Sequence, residues 1–220
     1  MNEETARQEI CRAGRSLFER GYVHATAGNI SVRLVDGFLI TPTDACLGFL
    51  SPDGLSKVDL QGNPVSGPRA SKTLALHRRI YEASAPTPSP AACVIHTHST
   101  HCVALTLEEP RGDLLPPITP YFVMKVGHVP VIPYVRPGDP RAGDLVAAEI
   151  GAHADAGKPI RAVMLSRLGP NVWHDSPMRA MAVLEELEET ARLWLLGGHA
   201  ARPLDAARIA ELRDAFGAQW

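Results

Sequence analysis

Residues 29–43, NISVRLVDGFLITPT, alternate apolar and polar side chains on either side of Asp36-Gly37. Alternation with a period of two is the pattern of a half-buried strand, and Asp-Gly is a turn pair that tolerates positive φ. The segment is predicted to be an antiparallel hairpin, so the sheet that holds it cannot be purely parallel. Helical and strand periods are interleaved around it. Ala6, Ile10, Ala13 and Leu17 recur at helical spacing within residues 3–20, and Gly21 supplies a stop. ASKTLALHRRIYEAS (70–84) predicts a second helix with Ser71 as its N-cap. CVIHTH (93–98) is rich in β-branched residues and predicts a strand, with Ser99 capping a helix after it. YFVMKVGHVPVIPY (121–134) predicts two short strands. A helix is expected over 140–156, and strands in AVMLS and NVWH around Gly169-Pro170. A long helix over 176–196 carries Glu185, Glu186, Glu188 and Glu189, and a last helix covers about 203–216. The mixture argues for one α/β domain with a mixed sheet.

A chain of 220 residues, 45% hydrophobic, suffices for one well-cored domain and is short for two. The formal net charge of −2, with no Lys/Arg block, excludes a basic field that would gather nucleic acid or anionic lipid. No run of eighteen apolar residues predicts a membrane span, and MNEETARQEI is too acidic and polar for a secretory signal. Cys11, Cys46, Cys93 and Cys102 show no CxxC spacing and are expected to be reduced core residues in a cytoplasmic protein. SAPTPSPAA (84–92) is expected to be a surface loop.

Two groups of residues suggest chemistry. His96 and His98 stand at i and i+2 near the end of the predicted strand, so both imidazoles project from one face. Two imidazoles so placed suit zinc or another first-row metal. The same spacing also fits two polar residues on a solvated face. His101 falls in the first turn of the next helix and is expected to be a helix-terminus residue. The second group is TAGNIS (26–31), TPTD (41–44) and RASKT (69–73), rich in hydroxyls, Gly and Asn. With Gly28, Asn29, Thr43, Ser71 and Lys72 brought to a helix start, they would form a phosphate pocket; singly, they are ordinary turn and cap residues.

The ordered series TAGNIS, ITPTD, SK before a helix containing His77, IHTHSTH and PPITPY resembles the class II aldolase/adducin family across about residues 5–196. Fuculose-phosphate aldolase and ribulose-phosphate 4-epimerase belong to that family. LPPITPYFVMKVGHVPVIPYVRPGDP and LEELEETARLWLL look most like its 3-oxo-tetronate 4-phosphate decarboxylase branch. The resemblance implies a three-layer α/β/α fold around a mixed, largely antiparallel sheet. It would be a single domain over 1–220, with the helix at 203–216 as an extension. It further implies a divalent metal, usually zinc with manganese or cobalt as alternatives, a small phosphorylated sugar-acid substrate and a homotetramer. His96 and His98 match the metal histidines; Asn29, Thr43, Ser71 and, approximately, Lys72 match substrate and phosphate contacts; Tyr121 matches a tyrosine near the substrate.

Two positions depart from the pattern. Thr73 stands where the family has its acid/base carboxylate, and Leu168 where it has its third metal histidine. His174 and His101 are the available substitutes for the latter; otherwise the metal binds weakly or is absent. The first loss bears on the reaction. An aldolase running toward condensation must remove a C–H proton and needs a base. A decarboxylase does not, because departing CO₂ leaves its electron pair behind. The expected reaction is metal-dependent decarboxylation through a metal-stabilised enediolate to dihydroxyacetone phosphate, with Tyr121 or a water as proton donor and Thr73 orienting. The alternatives are an aldolase or epimerase acting on another sugar phosphate, and a non-catalytic, adducin-like assembly module.

Overall fold

The computed structural model describes residues 1–108 and 112–220. Helix α1 (Glu3–Glu19) starts where Asn2 accepts a hydrogen bond from the Thr5 N–H, with Glu3 and Glu4 at the positive end of its dipole. It buries the expected Ala6, Ile10, Ala13 and Leu17. Strands β1 (Asn29–Arg33) and β2 (Gly37–Ile40) form the expected hairpin. The turn differs from expectation, because neither Asp36 nor Gly37 has positive φ. A Cβ on Gly37 would lie 2.0 Å from the Val58 carbonyl oxygen, so glycine is required there by the close approach of the next strand.

That strand, β3 (Ser56–Asp59), and β4 (Pro64–Ser66) form one end of the sheet and are too short to show a period. Helix α2 (Leu74–Ser84) follows, then β5 (Cys93–His96), α3 (Thr100–Leu105), α4 (Pro120–Lys125), β6 (Val131–Ile132), α5 (Arg141–Asp155), β7 (Ala162–Leu165), β8 (Gly169–His174), α6 (Pro177–Leu196) and α7 (Ala206–Phe216). The strand order is β4-β3-β2-β1-β5-β8-β7-β6. Every pair is antiparallel except β6–β7. Alternate residues of each strand feed opposite layers. Ile30, Val32, Cys93, Ile95, Met164 and Val172 meet α1, α3, α4 and α6. Phe38, Ile40, Val94, Val163, Leu165 and Trp173 meet α2 and α5. This is the expected three-layer α/β/α arrangement around a mixed, largely antiparallel sheet.

Four local expectations are corrected. The first half of YFVMKVGHVPVIPY is helix α4, because Thr119 caps it by accepting from the Phe122 N–H and Pro120 occupies the first helical turn. Helix α2 begins at Leu74, and Ser71 bonds to Thr73 in the turn before it. Ser99 does not cap α3; its hydroxyl bonds to Thr97 at 2.6 Å. The cap comes from the buried Glu188 of α6, whose carboxylate accepts the N–H groups of His101 and Cys102 at 2.9 and 3.0 Å. Finally, Gly169 and Pro170 belong to β8, and the turn is Ser166-Arg167-Leu168 with Arg167 at φ +62°. Cys11, Cys46, Cys93 and Cys102 are all unpaired. Among the described residues no helix is long and apolar enough to cross a membrane.

Candidate active site

Antiparallel pairing brings the start of β1, the ends of β2, β5 and β7 and the start of β8 to one end of the sheet. A cavity of about 690 Å³ opens there. Gly28, Asn29, Thr43, Ser71, Lys72, Thr73, His96, His98 and Leu168 all line it, so the structure gathers every sequence-predicted site residue except Tyr121. Tyr121 sits on α4, 58% exposed, with the Lys125 ammonium 5.3 Å from its ring centre.

The site is held by close backbone packing. Gly28 has φ +86°, and a Cβ there would lie 2.9 Å from the His96 carbonyl oxygen. On the other side, a Cβ on Gly169 would lie 1.9 Å from the Thr97 carbonyl oxygen. These two approaches pin the His96-Thr97-His98 segment between β1 and β8. The strand ends at His96, and His98 lies in the segment that leads to α3. Asn29, His96 and Asn171 are directly paired across three strands, so their side chains share one face of the sheet.

His96 Nδ1 donates to the Pro170 carbonyl at 2.9 Å, because a carbonyl can only accept. That bond fixes the tautomer and leaves the Nε2 lone pair for the cavity. Burial first, and His98 second, push the His96 pKa down to about 4 despite the opposing Pro170 bond. His98 is also lowered, by desolvation and then by His24. Both imidazoles are therefore neutral donors at pH 7. Their ring centres are 5.2 Å apart. Beneath them, fully buried His77 is pushed down to about 3 by burial and then by His96. Its Nδ1 meets Ser31 Oγ at 2.8 Å, which in turn meets the Tyr81 hydroxyl at 2.8 Å. Asn29 Oδ1, His77 Nε2 and both polar atoms of the Asn171 side chain are buried without a partner among the described residues.

The polar loops are tied to one another. Thr41 Oγ1 accepts the Ile30 N–H at 3.2 Å, and the Ser71 N–H donates to the Thr41 carbonyl at 3.2 Å. Thr43 gives its hydroxyl proton to the Ala70 carbonyl at 2.8 Å, so in this state it holds the 69–71 loop. Ser71 and Thr73 share a 2.9 Å hydroxyl–hydroxyl bond. Thr73 can orient a water or a substrate oxygen; it cannot act as a carboxylate base.

Neither substitute for the third histidine reaches the pair. His101 Nδ1 is 2.8 Å from Glu188. His174 pairs with Cys93 at the opposite end of β5 and β8, where it meets Asp175 and Arg161. Among the described residues no three His, Cys, Asp or Glu side chains are placed to hold a metal ion. The sequence reading missed Arg136, Asp44 and Asp139, which also line the cavity. Asp44 could have been noticed for its place in TPTD, where it adopts φ +58°.

Residues 8–195 match the family model described as Class II Aldolase and Adducin N-terminal domain. The chain belongs to this family. It is 54% identical over 226 residues, 99% of each chain, to a 3-oxo-tetronate 4-phosphate decarboxylase of Cupriavidus necator. It is 42% identical to an enzyme of the same name from Escherichia coli K12, covering 96% of this chain and 97% of that one. Among solved structures it is similar to Escherichia coli YgbL, described as an aldolase/epimerase/decarboxylase, with a TM-score of 0.83 and 40% identity over 96% of this chain and 99% of that one.

Proposed function

We propose that this chain is a carbon–carbon lyase that decarboxylates a 3-oxo-tetronate 4-phosphate to dihydroxyacetone phosphate and CO₂. The full-length similarity to decarboxylases of that name supports the substrate class. The observation that carries the reaction type is a cavity that joins the phosphate-pocket residues to the neutral His96/His98 pair, with Thr73 in place of a base.

The two imidazoles fit a divalent ion, zinc with manganese or cobalt as alternatives. Two histidines on one tetrahedral ion, with Zn–N of about 2.0–2.1 Å, place their ring centres about 5 Å apart, and the observed separation is 5.2 Å. His96 and His98 would hold the ion, which would supply Lewis-acid stabilisation of charge on the 3-oxo and 2-hydroxyl oxygens. Leu168 lines the cavity and offers no donor, so His96 and His98 would be the two protein ligands. Lys72 and Ser71 hold the phosphate, helped by the close backbone approach at Gly28, the Asn29 amide and a Thr43 hydroxyl that must leave Ala70 to donate. Thr73 orients substrate or water. The carbanion left by CO₂ collects its proton at C2 from a water, or from Tyr121 of a second copy if a homotetramer brings it to the cavity. The chain would act as one domain over 1–220, with α7 as its extension. The four unpaired cysteines support a cytoplasmic location.

The test is CO₂ release from 3-oxo-tetronate 4-phosphate in heavy water, with deuterium expected at the former C2. Aldol cleavage outpacing CO₂ release would refute the proposal. Absence of any turnover would favour the non-catalytic module suggested by Leu168.

A further inference from the structure

The cavity is lined by four cations, Lys72, Arg78, Arg79 and Arg136. Arg79 is paired with Glu82 and Asp144, both at 3.1 Å. Arg78 Nη1 donates to the Gln61 carbonyl at 2.6 Å. That leaves Lys72 and Arg136 as the two lining cations with no ion-pair or hydrogen-bond partner among the described residues. Strand order separates them. Lys72 stands with Asn29 and Thr43 beyond β1 and β2, Arg136 follows β6, and His96 on β5 lies between.

Arg136 is displayed on a stiff mount. The Asp139 N–H donates to the Arg136 carbonyl at 3.1 Å, Pro137 is the second residue of the turn, and Gly138 is the third at φ +82°. This is a type II turn with the residues that such a turn demands. Pro133 and Pro140 restrict the chain on either side. Asp139 feels the Arg136 charge, but its two oxygens are hydrogen-bonded by Arg141 at 2.9–3.2 Å. Two cations flanking a reaction centre, neither with a hydrogen-bond or ion-pair partner among the described residues, match a ligand that is anionic at both ends.

We propose that Arg136 recognises the C1 carboxylate of the substrate while Lys72 holds its phosphate, so that Arg136 selects sugar-acid phosphates over plain sugar phosphates. The inference rests on the decarboxylase reading. Guanidinium matches a carboxylate through two parallel N–H donors. The contact exists in the ground state and is lost as CO₂ leaves, so it should govern binding and not the chemical step.

The test compares Arg136→Ala and Arg136→Lys with the wild type by calorimetry on two stable probes: a C4 sugar-acid 4-phosphate lacking the 3-oxo group, and dihydroxyacetone phosphate. Arg136→Ala should weaken the first about tenfold and change the second less than twofold. Arg136→Lys should recover part of the loss. With the oxo substrate, KM should rise and kcat should not fall. Equal losses on both probes, no loss on either, failure of the wild type to bind either, or a fall in kcat at constant KM would overturn the assignment. If the wild type releases no CO₂ but its preference for the sugar-acid probe vanishes in Arg136→Ala, the reaction is wrong and the carboxylate site stands.

Discussion

Replacing Leu168 by histidine should convert a two-histidine site into a three-histidine one. Leu168 lines the cavity with His96 and His98 and packs at the edge of the α2/α5 core. Its N–H donates to Leu165 at 3.0 Å, and the following Gly169 presses against the Thr97 carbonyl, so the turn is fixed beside the pair. Four-ligand zinc sites bind with about 10–16 kcal/mol at pH 7, or roughly 2.5–4 kcal/mol per ligand. Allowing for imperfect geometry, about 2–3 kcal/mol remains, a gain of roughly 30- to 150-fold in zinc affinity. Lost packing costs about 1–3 kcal/mol in the metal-free protein. Zinc competition against a chromophoric chelator at pH 8 measures the gain directly. With zinc in excess of both dissociation constants, zinc should raise the Tm of the variant by roughly 4–12 °C more than it raises that of the wild type. Adding His98→Ala should cancel the gain. A folded Leu168→His protein with wild-type zinc affinity would show that this turn does not face the histidine pair.

Lys72→Met should weaken a phosphorylated ligand roughly ten- to hundredfold, as expected for a charged hydrogen bond of ~1.5–3 kcal/mol, and leave the dephosphorylated analogue unchanged; equal losses would remove Lys72 from the phosphate site. Glu188→Ala strips two backbone N–H groups of α3 and the His101 imidazole of their acceptor, so urea unfolding should show a loss of about 3–5 kcal/mol, and a loss under ~1 kcal/mol would contradict the capping role. His77 has its pKa depressed to about 3 by burial and His96, so its unfolded form takes up a proton near pH 6.5 that the folded form refuses. Stability should therefore be whole above pH 6.5 and fall below it, by roughly 2 kcal/mol at pH 5 for this group. His77→Gln should lose this share and keep the shares of His96 and His98, so its stability should fall less steeply below pH 6.5; an identical pH slope in both proteins would show that His77 is protonated in the folded state.

The parts of the fold that were legible are those whose period alone decides them. Ile30, Val32, Leu39 and Ile95 alternate because one face of their sheet meets α1, and α1 repeats at helical spacing for the same reason. Helix α4 was misread because Val, Phe and Tyr favour strands, while a six-residue helix shows little period; Thr119-Pro120 was the available signal. At the site, each loop advertised its own composition, and antiparallel pairing brought the loops together. What no local pattern contains is distance. Tyr121 looked like a site residue and lies on an outer helix, while His101 is held by Glu188, 87 residues further along the chain. Arg136 was passed over because its meaning depends on which cations the fold has already neutralised.

The buried polar atoms around His96 show how the scaffold and the chemistry divide the residues. Asn29 and Asn171 on the sheet face that bears His96, and His77 of α2 packed against it, carry unpartnered atoms among the described residues, each at a position where an apolar residue would pack at lower cost. A fold selected only for stability would not gather them around His96, which lines the cavity. Gly28 and Gly169 argue in the same direction, because both exist to let backbone approach the His96–His98 segment within van der Waals limits that any Cβ would breach. Thr73 and Leu168 also line the cavity and supply neither a carboxylate nor an imidazole to it. The pocket thus joins the phosphate-pocket residues to the histidine pair, with a hydroxyl at position 73 and an apolar side chain at position 168. That combination is suited to a reaction that needs an anchored anion, a charge sink and no base.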